Sequence, residues 1–328
     1  MTSHRALMSL LFNADKAVEV ITVAEELGVL AALDLGSAPL DDLAARLGLR
    51  PMRLCKLLDC LECLGFVVRD DGSYRAVPGA HQAAIDVFGP DSQERDRDSY
   101  PWRRVRGRLA EVLRGDYAMP AEDFVWPLTD PEQIAGFERS MAVGLPPILE
   151  AFRRNASRLW PASRLLDVGG GDGTLAAELL GAVPGLTVDV YNLPAVQSLV
   201  DRTRLAGGWG SRLGFVAGDF FAEPLPGGYD VLSFVRVLHD WPEEQAQSLL
   251  VKAFEALPPG GRVLICEEFR TGDRLAAQFF WSYFLIGVDS CTSMLRSTAA
   301  YERMLTAAGF TAVEVLPGPF EIVLAARV

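Results

Sequence analysis

The sequence predicts an α/β chain, with a doubly wound, mostly parallel sheet in its C-terminal half and a mainly helical N-terminal region. Three observations carry this expectation. From Ser163 onward, apolar runs of strand length alternate with helical stretches. The turn DVGGGDGT (Asp167–Thr174) joins the first such run to a helix and gives up four side chains in five residues. Before residue 100, a helix, a turn, a second helix and a hairpin follow one another in the order of a winged helix. At 328 residues the chain is long for one domain. The expected divisions are 1–100, 101–160 and 161–328.

In chain order, AVEVITVAEELGVLAAL has apolar residues three and four apart and reads as an amphipathic helix. Leu40–Leu47 and Pro51–Leu64 read as two short helices joined by GLRP, and FVVRDDGSYRAV as a small hairpin closed by Asp-Gly. Cys55, Cys60 and Cys63 match an iron–sulfur spacing, but they lie in the leucine-rich LCKLLDCLECLGF, where packing in a helix is the expectation. Residues 101–160 read as helices. Their cluster from Arg103 to Arg108 is either a solvated face or a contact for an anionic substrate group. Five strands follow, RLLDV, TVDVYN, RLGFVAG, DVLSFVRV and RVLICEE, separated by helices. AVEVLPG and EIVLAARV lie close together and read as an antiparallel hairpin at the sheet edge.

Composition narrows the function. Half the residues are hydrophobic, so sizeable cores can form, and a formal charge of −12 repels a phosphate backbone. The helix that would enter a DNA groove sets Arg50, Arg53 and Lys56 against Asp59 and Glu62, and the wing adds Asp70 and Asp71. No nucleic-acid partner is expected. The N-terminus lacks a signal-peptide pattern, and the most apolar window, Leu275–Val288, is too short to span a bilayer. The expectation is a cytoplasmic protein without a membrane partner.

The glycine turn follows a strand and opens a helix, so backbone N–H groups and a positive helix end face the ligand. A dinucleotide fingerprint beginning at Gly169 requires glycine at 174, which is Thr174, and no Gly-Lys-Ser/Thr is present. Asp167 before Gly169, Gly171 and Gly173 suits a ligand with a charged amine and no pyrophosphate. At the next strand end stands Asn192, where an acid commonly accepts from ribose hydroxyls. After the third, Asp219 can read an adenine amino group and Phe220 can stack on the ring, though Phe220 and Phe221 equally suit core packing. Together these strand ends suggest S-adenosylmethionine.

With GDFF, LHDW and EALPPGGRVLICEE, the chain resembles the S-adenosylmethionine-dependent small-molecule O-methyltransferases of the plant caffeic acid type and of bacterial antibiotic pathways. The set DVGGGDGT, NLPAV, GDFF and LHDW, in that order and spacing, carries the likeness, which covers nearly the whole chain. It implies a class I methyltransferase fold, Rossmann-like, with five parallel strands and a C-terminal antiparallel hairpin. It further implies a winged-helix dimerisation domain, a homodimer, a substrate-covering middle region and S-adenosylhomocysteine as product. Residue by residue, Gly169 would underlie the methionine part, Asn192 would meet the ribose, and Asp219 with Phe220 the adenine. Arg236 joins the cofactor set. His239 matches the base, with Asp240 beside it and Glu267 steering its ring; Phe137, Met141 and Phe284 would flank the acceptor. The likeness fails at Leu295, which stands where the family carries a second acid near the base.

A neutral phenol is a poor nucleophile, whereas its phenolate is strong at oxygen and at the ortho carbon; a histidine of pKa about 6.5 is a fitting base. His239 is one of three histidines, and no second one lies near it to complete a metal triad, so no metal is expected. The expected activity is O-methylation of a phenolic aromatic in natural-product biosynthesis. Methylation of the ring carbon ortho to the hydroxyl and a non-methylating role on the same fold are the alternatives.

Overall fold

The computed structural model describes residues 4–89, 107–117, 130–159, 164–271, 279, 283 and 295–328. The chain divides into two compact units, 1–107 and 108–328.

In the first unit, helices His4–Phe12, Ala14–Glu26 and Val29–Asp34 precede β1 (Ala38–Pro39), helices Leu40–Leu47 and Pro51–Cys63, β2 (Val67–Asp70), β3 (Ser73–Ala76) and helix Ala80–Phe88. The stretch expected as one helix from Ala17 is broken at Gly28, whose φ of +72° ends one helix and starts the next. The wing closes through Asp71 and Gly72, both at positive φ, the geometry a two-residue hairpin turn demands. β1 adds a third, antiparallel strand beside β3. Leu54, Leu58 and Leu61 form the buried face of their helix, whereas Cys60 and Cys63 are exposed. The expected packing of the cysteines is therefore corrected: the leucine stripe takes the core and turns two of them to solvent. Lys56 is spent on Asp59, 3.5 Å away.

The second unit is built on a seven-stranded sheet of order β6-β5-β4-β7-β8-β10-β9. Its strands are β4 (Arg164–Val168), β5 (Thr187–Asn192), β6 (Leu213–Ala217), β7 (Val231–Val235), β8 (Arg262–Cys266), β9 (Thr311–Leu316) and β10 (Ile322–Ala326). β4 to β8 run parallel and β10 runs against β8 and β9, as the spacing predicts. Alternate residues enter two cores, one on each face. Leu165, Val231 and Leu264 pack with helices Pro146–Arg154 and Thr174–Ala182. Leu166, Leu232 and Ile265 pack with helices Glu243–Ala256 and Thr298–Ala307. Strands buried on both faces read as continuous apolar runs, which is why they were visible in sequence. Parallel pairing aligns their carboxyl ends, and the order reverses at β4 and β7, where open α/β sheets bind ligands. Among the described residues no helix is long and apolar enough to cross a membrane.

One side chain bolts the first crossover. The Arg212 guanidinium donates to Leu186 O (3.1 Å), Leu180 O (2.9 Å) and Val183 O (3.1 Å), satisfying carbonyls at the end of helix Thr174–Ala182. Arg212→Met keeps the apolar stem and removes all three bonds. It should lower unfolding free energy by about 2–3 kcal/mol, read by denaturant melts.

Candidate active site

At the end of β4 the chain turns through Gly169, Gly171 and Gly173 at φ of +73°, +56° and +80°. A methyl group on Gly169 would meet Val237 Cγ2 at 2.8 Å, and one on Gly171 would meet Glu138 Oε2 at 2.5 Å. The glycines are thus fixed by backbone sign and by neighbours that leave no room.

Below the loop, register pairs Asp167 with Ser233 across β4 and β7, and Ser233 Oγ donates to Asp167 Oδ1 at 2.7 Å. Asp167 is 1% exposed, and among the described residues its Oδ2 has no hydrogen-bond partner. Burial pushes its carboxyl up to about 6, against which the Ser233 bond works. Glu138, on helix Pro131–Val143, is also buried, and burial with the nearby Asp172 carboxylate pushes it up to about 7. Arg236, at φ +55°, donates a short hydrogen bond to Met141 O and ties the same helix to the end of β7. Strain at a non-glycine residue of this kind is characteristic of a functional turn.

Asn192, at the end of β5, holds Leu193 N–H with Oδ1 at 2.8 Å. Its amide keeps N–H donors and a second oxygen lone pair for a ribose. Asp219 Oδ1 caps Phe221 N–H at 2.8 Å, and Phe220, Phe221 and Trp241 form an edge-to-face cluster with centroids 4.7–6.1 Å apart. Lys252 Nζ gathers Phe220 O, Phe221 O and Glu223 O at 2.7, 3.0 and 2.8 Å, fixing the loop after β6. A glycine-rich cradle, two buried acids, one of them with an oxygen that has no hydrogen-bond partner among the described residues, and polar ends on β5 and after β6 fit S-adenosylmethionine. It is cationic, and it brings no phosphate.

His239 lies in a single helical turn, Leu238–Asp240, directly after β7; it is 2% exposed, and its Nε2 is 3.4 Å from Asp240 Oδ1. Burial raises the Asp240 carboxyl above its ordinary range, while His239 pulls the other way. Glu267 Oε1 accepts from the backbone N–H of Leu238 (2.6 Å), His239 (3.2 Å) and Val237 (3.3 Å), and Oε2 accepts from Tyr301 O–H at 2.6 Å. The sequence reading had this acid steer the imidazole; its hydrogen bonds to His239 run through the main chain. Arg296 Nη1 and Nη2 donate to Leu238 O (2.9 Å) and Trp241 O (2.6 Å), closing the turn from the other side. Leu295 precedes that arginine. Phe137 and Met141 are half-buried on the helix that carries Glu138. Phe284 lies outside the described residues, as do residues 103–106; Arg108 pairs with Glu111 at 2.5 Å and covers the Tyr117 ring.

Glu138, Ser233, Lys252, Arg296 and Tyr301 escaped the sequence reading. Only Glu138 left a trace, a lone acid within the apolar GFERSM stretch.

Asp167 is harder to ionise folded than unfolded, so stability that is full below its unfolded pKa is lost as pH rises through about 6. Asp167→Asn should therefore make the apoprotein more stable at pH 8 by about 2–3 kcal/mol, with the difference gone near pH 4. Paired denaturant melts at the two pH values check it.

Residues 116–311 match the O-methyltransferase domain family. The 3-hydroxy-5-methyl-1-naphthoate 3-O-methyltransferase of Streptomyces sahachiroi is 34% identical over 270 residues, covering 78% of this chain and 75% of that one. The L-tyrosine C(3)-methyltransferase of Streptomyces lavendulae is 33% identical over 150 residues, covering 45% and 41%. Among solved structures, the S-adenosylmethionine-dependent methyltransferase SibL superposes with a TM-score of 0.69 at 26% identity, covering 98% of this chain and 99% of that one. The chain belongs to the O-methyltransferase family and is an S-adenosylmethionine-dependent methyltransferase with a class I fold.

Proposed function

We propose that the enzyme methylates the hydroxyl of a phenolic small molecule in natural-product biosynthesis, with His239 as general base. The observation that carries this reading is the buried His239 beside Asp240, on a turn held by Glu267 at the end of β7. Bound S-adenosylmethionine would supply an electrophilic methyl group, whose carbon is displaced in line from the sulfonium sulfur, leaving the neutral thioether. His239 takes the acceptor's hydroxyl proton, and the Asp240 oxygen 3.4 Å from Nε2 stabilises the imidazolium that results. Glu267, Tyr301 and Arg296 hold the turn, so the imidazole starts from one position. The naphthoate relative, whose name describes transfer to a ring hydroxyl, supports the acceptor class.

A second reading is methylation of the ring carbon ortho to that hydroxyl by the same base. Leu295, apolar where the resembled family has an acid, favours it, as does the relative that methylates tyrosine at C(3). Product NMR from a panel of phenols separates the two.

His239→Ala should keep S-adenosylhomocysteine binding and lower turnover at pH 7 by roughly 10²–10⁴. The deficit should shrink at higher pH, where the phenol ionises unaided. Undiminished turnover at pH 7 would remove the base role.

The homodimer belongs to the same proposal. Met8, Leu11 and Phe12 of the first helix are 65%, 57% and 82% exposed, apolar surface that a second copy would cover. Light scattering should give twice the 35.7 kDa of the chain, and Leu11→Glu with Phe12→Glu should shift it towards monomer.

A further inference from the structure

The Glu138 carboxylate lies over Gly171, where a methyl group would come 2.5 Å from Oε2, and Asp167 Oδ2 would lie 2.4 Å from a methyl group on Gly170. Two acids, one from a helix outside the sheet and one from β4, close on consecutive glycines. Both are buried, at 6% and 1% exposure. Facing Glu138 are the Asp172 carboxylate, which repels it, the Asp172 N–H, which donates to it, and the Arg236 guanidinium, which attracts it. That guanidinium is already engaged with Met141 O. Among the described residues Asp167 Oδ2 has no hydrogen-bond partner. Buried carboxylates with so little compensation either stay protonated or wait for a cation. Nothing in the dinucleotide or triphosphate chemistry excluded by the loop's sequence would bring one, whereas an amino-acid ammonium would.

We propose that Glu138 binds the cofactor: its carboxylate receives the α-ammonium of the methionine portion, together with Asp167, and loses its own proton to solvent as it does so. This rests on the methyltransferase reading and extends the ligand set beyond the sheet. The ammonium keeps its protons; the one released comes from the Glu138 carboxyl. Since Glu138 in the free protein titrates near 7, the affinity for the amino-acid cofactor falls as pH drops through that value. The helix Pro131–Val143 also carries Phe137 and Met141, so cofactor binding anchors the helix expected to line the acceptor.

Calorimetry with S-adenosylhomocysteine at pH 7, in two buffers of different protonation enthalpy, should reveal release of roughly half a proton by the native enzyme. Glu138→Gln should abolish most of that release and weaken S-adenosylhomocysteine about 10–100-fold, the worth of one charge-assisted bond. It should bind 5′-methylthioadenosine, which keeps the adenosine and thioether but lacks the amino acid, as tightly as the native enzyme does. Equal weakening of both ligands would overturn the proposal and leave Glu138 a structural latch. So would unchanged S-adenosylhomocysteine affinity in Glu138→Gln, or heats independent of buffer in the native enzyme, a measurement that needs no variant. If the native enzyme binds 5′-methylthioadenosine but Glu138→Gln alone is indifferent, only the Glu138 assignment falls. Failure of the native enzyme to bind S-adenosylhomocysteine would instead bring down the methyltransferase reading.

Discussion

Two carboxylates, Asp167 and Glu138, are buried against a loop of four glycines and one aspartate, and the cost of putting them there shapes what surrounds them. Desolvation holds both above the ordinary carboxylate range, and among the described residues the compensation is Ser233 for one and the Asp172 N–H with Arg236 for the other. Two of the glycines face the acids, since a Cβ at 170 or 171 would meet carboxylate oxygen, while Gly169 is crowded by Val237. Arg236 is strained, and its positive φ is tolerated because its side chain is fixed at Met141 O and its N–H at Cys266 O, 3.0 Å away. An environment poor in cations and closed to water is costly in the free protein. It is favourable when the ligand carries the missing charge.

The same economy governs the histidine turn. Leaving β7, the chain presents three consecutive backbone N–H groups that β-pairing cannot satisfy, and one carboxylate oxygen of Glu267 takes all three. Its second oxygen is held by Tyr301, and Arg296 takes the carbonyls on both sides of His239 and Asp240. Position is therefore set by main-chain bonds from residues distant in sequence. The imidazole does not need a carboxylate at each ring nitrogen to be oriented, because the backbone that carries it is already fixed. Buried networks of this kind act as one unit, and loss of any member leaves polar groups unsatisfied in a low-dielectric site.

Much of the fold could be read from the residues because periodicity encodes burial. β4 and β5 were legible to the residue, since RLLDV and TVDVYN are short, mostly β-branched or apolar runs of strand length bounded by turns and helices. The glycine loop, Asn192, Asp219 and His239 were legible because each follows a strand directly. Tyr301, Arg296 and Lys252 were not: they reach the site from later helices and loops, and nothing local distinguishes a tyrosine that meets Glu267 from one that packs. Glu138 was hidden differently. Helical spacing puts it on the face of Ile134, and only the tertiary approach to Gly171 shows that this face meets a loop and not a core. The exposed Cys60 and Cys63 make the converse point, for a small apolar residue goes where the larger leucines leave it.

Leu295 brings these threads together. On the proposed reading, with leucine where the resembled family has a second acid, the charge that would balance an imidazolium rests on Asp240, since Glu267 already serves three N–H groups and a hydroxyl. On the same reading, leucine at 295 would give the developing phenolate oxygen fewer polar partners than a second acid and its water would. An oxygen stripped of polar partners should be the stronger nucleophile; an aromatic ring pressed against leucine can also present its ortho carbon at little desolvation cost. On the proposed reading, the choice between oxygen and carbon then turns on how the acceptor ring is oriented, so the side chains that pack on that ring, more than the base itself, set where the methyl group goes.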